Sequence, residues 1–202
     1  MENIYAESPP HSNSRTTPII YPSHPLYFFI TLVFSILLIY TFQTDVFTLS
    51  LKDNDDFMRY LQFTQWIKTG NWYLQPLPHF NPQDGILIHW SRLPDIPLAL
   101  ISQLAAQFVD QSTAYGIAMI MVPLLYLLGT VSAVGWLTYR ILGTDYVTLS
   151  CFYFLASYIV TKFFPGIIDH HNLQLLLAAW CLALFPFTRY ECKSHRLAVM
   201  LG

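Results

Sequence analysis

The sequence predicts an all-α polytopic membrane protein, because the chain is too apolar and too poor in charge to cover a water-facing surface. Hydrophobic residues make up 54% of the 202 residues, charged residues only 11%, and the mean hydropathy is +0.41. Soluble domains carry about a quarter charged residues. Uncharged runs of the length needed to cross a bilayer, about 20 residues, recur along the chain.

The charge balance and the cysteines exclude several other classes. Ten Lys and Arg stand against twelve Asp and Glu, so the chain has no basic field for nucleic acid. Cys151, Cys181 and Cys192 have no paired spacing, which argues against a disulfide framework or a zinc site. The first apolar run begins late, at Leu26, which argues against a cleaved secretory leader.

Apolar runs without central charges predict four transmembrane helices. The runs are residues 26–42, 113–139, 146–168 and 172–188. Lys162 lies near the end of the third run, where its side chain can reach the interface. A fifth run begins at Leu197. We therefore expect an N-terminal tail, residues 1–25, followed by a transmembrane region, residues 26–202, that is incomplete at its C-terminus.

Residues 96–109 form a further apolar stretch that is too short to cross a bilayer. Ser102, Gln103 and Gln107 give it a polar stripe at helical spacing, which predicts an amphipathic helix at the membrane interface. Residues 43–112 then form a long external loop. The positive-inside rule places the N-terminus in the cytoplasm, because one face then receives Arg15, Arg140, Arg189, Lys193 and Arg196.

The external loop opens with three carboxylates, those of Asp53, Asp55 and Asp56, just before a helical pattern over residues 57–67. One Asp would suffice to cap a helix. Three within four positions repel one another and favour a site for Mg²⁺ or Mn²⁺, which prefer oxygen ligands. Cap and cation site remain the two alternatives at this point.

A second ionisable cluster, Asp169, His170 and His171, lies between the third and fourth predicted spans. Ionisable groups at a membrane edge are costly, which points to a function. Asp169 and His171 form an Asp-x-His pattern that offers a carboxylate and an imidazole to a metal. The alternative is a helix cap with solvated histidines. Because four spans place both clusters on one face, a shared site is favoured.

The irregular chain between the clusters is rich in proline and ends in His89-Trp90-Ser91-Arg92. Arg92 can pair with Asp95 or present a guanidinium fork to a phosphate. Together with Arg59 and His89, Arg92 makes a candidate set of phosphate-binding side chains.

These features together resemble the N-terminal part of oligosaccharyltransferase catalytic subunits, which are GT-C membrane glycosyltransferases. The likeness rests on a late first span, an Asp-rich motif near Arg59, an external helix, two further spans and a Gly-x-x-Asp-His-His motif ending at His171. The stretch NPQDGILIHWSRLPD, residues 81–95, is also similar to uncharacterised bacterial GT-C-type membrane proteins. The resemblance covers about residues 26–190.

The resemblance implies that a sugar or oligosaccharide is transferred from a polyprenyl-phosphate-linked donor at the outer face of a bacterial inner membrane. It implies a divalent metal, Mg²⁺ or Mn²⁺, held by Asp169, His171 and one first-cluster carboxylate, with Asp55 preferred over Asp53. Asp56 is the candidate general base. Further spans, an additional acidic ligand and a C-terminal domain belong to the family pattern. We therefore expect these residues to act with a C-terminal part or other membrane subunits.

The rival interpretation is a non-catalytic polytopic membrane protein, such as a transporter subunit or assembly partner, in which both clusters only cap helices. A transporter carries ionisable groups near the middle of its spans. The central stretches of the four predicted spans contain none, which favours the enzyme.

Overall fold

The computed structural model describes residues 25–73, 76–77 and 83–185, which form helices joined by irregular segments. Within these ranges no strand is formed, and the only β-type pairing is an isolated bridge between Leu77 and Ile86. The helical fold class predicted from the sequence is confirmed. The helices are α1 (Pro25–Phe47), α2 (Asn54–Thr69), α3 (Asp95–Ala105), α4 (Gln111–Leu142), α5 (Val147–Ala156) and α6 (His170–Leu184).

Helix α4 is the central element of the fold, because α1, α3, α5 and α6 all pack against it. Its 32 residues extend for about 48 Å. Leu127, Val131 and Met119 on α4 are among the most deeply buried side chains of the core. Two segments, Phe29–Phe47 of α1 and the whole of α4, are long and apolar enough to cross a membrane.

The third predicted span, residues 146–168, is not one continuous helix. Helix α5 ends at Ala156, Ser157 is extended, and a 3₁₀ segment follows at Tyr158–Phe163. The Ser157 hydroxyl donates to the Phe154 carbonyl at 2.6 Å, and such local bonds compete with helix continuation. Apolar composition predicted one continuous span here and could not show this break.

The fourth predicted span forms α6, whose described part is only 15 residues, about 22 Å long. The helix ends at Leu184, one residue before Phe185, which precedes Pro186, and a residue before proline is disfavoured in helical conformation. The tail 1–24, residues 186–196 and the run from Leu197 lie outside the described residues. The four-span topology and its orientation remain predictions.

The helix expected in residues 96–109 is present as α3, but it ends at Ala105, so Gln107 lies beyond it, and Ser102 of the predicted polar stripe is buried. Leu98, Ala99 and Ser102 are buried on one side of α3, which packs against α4. Leu100 and Leu104 are exposed on the other side. Helix α3 therefore covers part of α4 and leaves an apolar face uncovered by the described chain.

A buried ionic cluster fixes α2 to the start of α3. Arg59 Nη1 lies 2.9 Å from Asp95 Oδ1, and Arg92 Nη1 lies 3.4 Å from Asp95 Oδ2. The exposed fractions of Arg59, Arg92 and Asp95 are 1%, 8% and 0%. Arg59 Nη1 also donates to the Ser91 carbonyl at 3.0 Å. One carboxylate thus holds two arginines inside the region between α1 and α4.

Replacing Asp95 by Asn should strongly destabilise the fold, since it leaves two buried guanidinium groups without a counter-ion. Breaking a buried ion pair costs about 3–5 kcal/mol. Denaturant unfolding of the purified chain in detergent, followed by tryptophan fluorescence, measures the loss. Asp84→Asn, at an exposed carboxylate, is the matched control. Equal stability of the two variants would contradict the structural role of the cluster.

Candidate functional site

Asp56 joins the two ionisable clusters that the sequence singles out. It lies in the first turn of α2 and is 1% exposed. Its Oδ1 atom accepts hydrogen bonds from the backbone N–H groups of Ile168 at 2.7 Å and Asp169 at 2.9 Å. The structure therefore brings the first and second clusters into direct contact through Asp56, and a metal site shared between them stays a prediction.

The environment of Asp56 changes its acidity. Burial raises the pKa of its carboxyl to about 6, against the opposing effect of the two backbone hydrogen bonds from Ile168 and Asp169. The negative charges of Asp169 and Asp53 raise it further. A carboxylate with a pKa close to neutral accepts a proton more readily than an ordinary aspartate.

The loop before Asp169 is held from several sides. Gly166 has φ +87°, a left-handed conformation that favours glycine, and its N–H donates to the Met119 carbonyl of α4 at 3.0 Å. Asn172 is 1% exposed, and its Nδ2 donates to the Ile167 carbonyl at 2.9 Å. Asn172 was expected only as a possible cap, whereas its side chain closes this loop.

Asp169, His170 and His171 form a cluster at the start of α6. One potential ligand atom from each residue lies within 4.8 Å of the others. His171 Nε2 is 3.3 Å from Asp169 Oδ2, and His170 Nδ1 contacts Asp169 Oδ1. Asp169 is buried, His170 half-buried and His171 exposed, so the cluster is open on the side of His171.

This donor set fits a divalent transition metal. One carboxylate and two imidazoles suit Mn²⁺ or Zn²⁺, whereas Mg²⁺ prefers oxygen ligands throughout. Of the two ions expected from the sequence, Mn²⁺ fits better. The Asp-x-His pattern pointed to Asp169 and His171 alone. His170 joins them because the chain turns into α6 at this point, which no residue spacing shows.

The cap interpretation also describes real contacts. The Asp169 side chain accepts from the His170 N–H, and the Asp53 side chain accepts from the Asp55 N–H at 3.3 Å. Both carboxylates therefore cap helices. A helix cap uses one oxygen lone pair of a carboxylate that has several, so capping leaves Asp169 able to bind a metal.

A polar cavity of about 270 Å³ adjoins the bridge between the clusters. Asp53, Asp56 and Asp169 line it, together with Lys52 and Lys162. Asp55 is half-buried and is not among the lining residues. Of the two first-cluster alternatives for a metal ligand, the structure places Asp53 beside this cavity and Asp55 outside it.

A second cavity, of about 430 Å³, shares His170 with the metal-ligand cluster. Its walls combine polar and apolar groups: Arg59, His89, Trp90, Ser91, Leu93, Pro94, His170, Leu173, Gln174 and Leu177. Arg59 Nε is buried and has no hydrogen-bond partner among the described residues. The Arg59 guanidinium stacks on the Trp90 ring, 5.0 Å from its centroid, and Trp90 lies 6.1 Å from the His170 ring.

The three predicted phosphate-binding residues separate into two groups. Arg59 and His89 line this second cavity. Arg92 does not, and it donates to Asp95 and to the carbonyls of Gln62, Trp72 and Tyr73. These bonds use most of its five donors, so Arg92 has no free fork for a phosphate. The pairing of Arg92 with Asp95, one of the two alternatives from the sequence, is confirmed.

No protein-family model, curated protein or solved structure matches this chain. The functional argument therefore depends on the chemistry of the site itself.

Asp56→Asn and Asp56→Leu should differ sharply in stability. Asparagine keeps an oxygen that can accept from Ile168 and Asp169, whereas leucine leaves two buried N–H groups unpaired at about 1–3 kcal/mol each. Thermal unfolding in detergent compares the two variants with the parent chain. If leucine is tolerated as well as asparagine, Asp56 does not hold the second cluster in place.

The purified chain should bind Mn²⁺, and Asp169→Asn and His171→Ala should each weaken binding about tenfold or more, because each variant loses a ligand atom. Electron paramagnetic resonance of free Mn²⁺ during titration gives the dissociation constant. His89→Ala, which changes a histidine outside the cluster, is the control. Wild-type affinity in both ligand variants would show that the cluster holds no metal.

Proposed function

We propose that this chain is a metal-assisted membrane glycosyltransferase, or its N-terminal part, of the GT-C type. It transfers a sugar or oligosaccharide from a polyprenyl-phosphate-linked donor at the outer face of a bacterial inner membrane. The observation that carries the proposal is the bridge by Asp56, which puts a buried carboxylate against an Asp-His-His cluster beside two cavities of different polarity.

The metal ligands proposed are Asp169, His170 and His171. These residues would hold a Mn²⁺ ion, which would supply charge neutralisation for the phosphate of the lipid donor. Asp169 is fixed by its backbone bond to Asp56, and the loop bond from Asn172 supports the same position. A rigid ligand set of this kind reduces the reorganisation needed during the reaction.

The second cavity suits the donor. Arg59 Nε is an unused buried donor at its wall, and Arg59, Arg92 and Asp95 together carry one net positive charge. A cationic wall attracts a phosphate. Leu93, Leu173 and Leu177 give the same cavity an apolar lining suited to a prenyl chain. The second cavity thus has a cationic surface for the phosphate and an apolar surface for the prenyl chain of a lipid phosphate.

Asp56 suits the role of general base toward an acceptor hydroxyl in the polar cavity. The acceptor oxygen forms a bond to the anomeric carbon of the sugar, and the bond from that carbon to the lipid-phosphate oxygen breaks. The phosphate leaves with the electron pair, and the hydroxyl proton passes to Asp56. The raised pKa of Asp56 favours this transfer near neutral pH.

The rival is a non-catalytic polytopic protein in which Asp53 and Asp169 serve only as the helix caps that their hydrogen bonds form. In such a protein, the affinity for a polyprenyl-phosphate donor should not depend on a divalent metal. Metal dependence of donor binding therefore separates the two functions.

A fluorescent polyprenyl phosphate should bind the full chain about tenfold more tightly with Mn²⁺ than with EDTA, because the metal adds a charged contact to the phosphate. Fluorescence anisotropy in detergent measures the affinity. Asp169→Ala should lose this metal effect and abolish sugar transfer, while carbonate extraction still finds the protein in the membrane.

Asp84→Ala is the matched control for loss of an exposed carboxylate. Identical donor affinity with Mn²⁺ and with EDTA, or full sugar transfer by Asp169→Ala, would contradict the proposed enzymatic function. Either result would favour the non-catalytic protein whose carboxylates only cap helices.

A further inference from the structure

Two exposed lysines, Lys52 and Lys162, line the polar cavity and form its rim. Neither lysine forms an ion pair with a carboxylate in the part of the chain that the structure describes. An ammonium group has hydrogen-bond donors and no acceptor. The rim therefore offers positive charge and unused donors to a group that enters the cavity.

Aromatic rings hold the Lys52 ammonium group in place. Its Nζ atom lies 4.2 Å from the ring centroid of Phe42 in α1 and 5.9 Å from that of Phe164. The two rings contact each other, with 5.0 Å between their centroids. A ring face attracts a cation within about 6 Å. Because its position is already restricted, Lys52 loses less conformational freedom on binding an anion than a lysine that extends freely into water.

The break in the third predicted span brings Lys162 to the same cavity. Lys162 is the only charged residue of the apolar run 146–168. It lies in the 3₁₀ segment Tyr158–Phe163, which also contributes Tyr158 and Thr161 to the cavity lining. Residues three apart lie on one side of a 3₁₀ helix. The segment after the break thus forms one wall of the polar cavity and supplies its second lysine.

The floor of the polar cavity has the opposite character. Asp56 and Asp169 line it and are only 1% and 7% exposed. An ionised carboxylate has only hydrogen-bond acceptors, so a ligand at the floor needs a donor such as a hydroxyl group. With Asp53, the carboxylates outnumber the two lysines. An anion is therefore attracted at the lysine rim and not throughout the cavity.

The volume of the polar cavity limits the size of such a ligand. It is about 270 Å³, the volume of about nine waters in the liquid. Pockets for drug-sized ligands measure about 300–1,000 Å³. A phosphate monoester carries about two negative charges near neutral pH, which matches two ammonium groups better than a single carboxylate does. A small polyol phosphate therefore fits the size and the charges of the cavity.

We propose that Lys52 and Lys162 bind the phosphate of a small hydroxylated phosphate ester, whose hydroxyl group meets the carboxylates of Asp56 and Asp169. Such an ester occurs as a lipid headgroup, as in phosphatidylglycerol, or as a free polyol phosphate. Binding of the ester does not depend on the proposed function. Its role as the sugar acceptor, with its hydroxyl group beside Asp56, rests on that function.

The test is a phosphorus NMR titration of glycerol 1-phosphate with the full chain in a neutral detergent, without metal or donor. Lys52→Gln and Lys162→Gln should each weaken binding about tenfold, because each variant loses one charged contact to the phosphate. Lys68→Gln, at an exposed lysine outside the cavity, is the matched control. Lys162→Arg keeps the charge and should bind within about threefold of the parent chain.

Parent-like affinity in both glutamine variants of the rim would overturn the proposal. An equal loss in Lys68→Gln would also overturn it, because binding would then reflect the overall charge of the chain. Methyl phosphate, which has no polyol hydroxyl group, should bind the parent chain about fivefold more weakly than glycerol 1-phosphate. Equal affinity for the two esters would contradict the contact with the carboxylate floor and overturn the proposal.

A competition experiment distinguishes the two sources of the ester. Displacement of glycerol 1-phosphate by phosphatidylglycerol in mixed micelles, but not by phosphatidylcholine, would support a lipid headgroup. Lack of displacement would support a free polyol phosphate, provided that the lysine variants lose affinity as expected.

The donor affinity of the same variants separates this site from the second cavity. The fluorescent polyprenyl phosphate should bind Lys52→Gln and Lys162→Gln as tightly as it binds the parent chain. A loss of donor affinity equal to the loss for glycerol 1-phosphate would overturn the proposal, because the lysines would then hold the donor. Because the phosphate titration needs neither Mn²⁺ nor donor, its failure is distinct from failure of Mn²⁺-dependent donor binding.

Discussion

The region between α1 and α4 of this protein depends on one buried carboxylate. Asp95 has no exposure and faces two arginines that are themselves almost fully buried. Charges in such surroundings are tolerated only when they are paired and hydrogen-bonded. The pairing fixes the path of residues 89–95, because Arg59 holds the Ser91 carbonyl and Arg92 holds the carbonyls of the chain near Tyr73. The cavity walls contributed by His89 and Trp90 follow from that path.

The candidate site depends on a second buried carboxylate, that of Asp56, whose structural role differs from that of Asp95. Asp56 pairs with no cation of the described chain and instead receives two backbone N–H groups from the loop that carries Asp169. It therefore fixes a backbone position, and through it the direction of a potential metal ligand. The arginine cluster supplies charge and shape to one cavity, while Asp56 supplies a proton acceptor to the other. Both cavities reach the start of α6, where Asp169 lines one and its neighbour His170 lines the other.

Sequence reasoning reached the parts of this arrangement that depend on composition and local pattern. Low charge and long apolar runs predicted helices, and the helical period of residues 96–109 predicted α3, although Ser102 of the polar stripe is buried and the exposed face is apolar. The meeting of the Asp-rich motif with Asp169 followed from the predicted topology. The break at Ser157 was not predictable in this way, since residues 146–168 form one apolar run without a central charge. Trp90 contacts Arg59 and His170 from a distant segment, which no spacing within one segment reveals. The roles of His170 and Asn172 depend on how the chain turns into α6.

The contacts of the two buried carboxylates also require different lengths of synthesised chain before they can form. The bond between Arg59 and Asp95 joins residues 36 apart, whereas the bond from Asp169 to Asp56 joins residues 113 apart. A chain that folds from its N-terminus can complete the first contact before α4 is made. The second closes only after α4 and α5 have emerged and α6 has begun. Ligands from α6 then meet a framework that is already assembled, so a chain that stalls early carries a formed arginine cluster but no complete metal-ligand set.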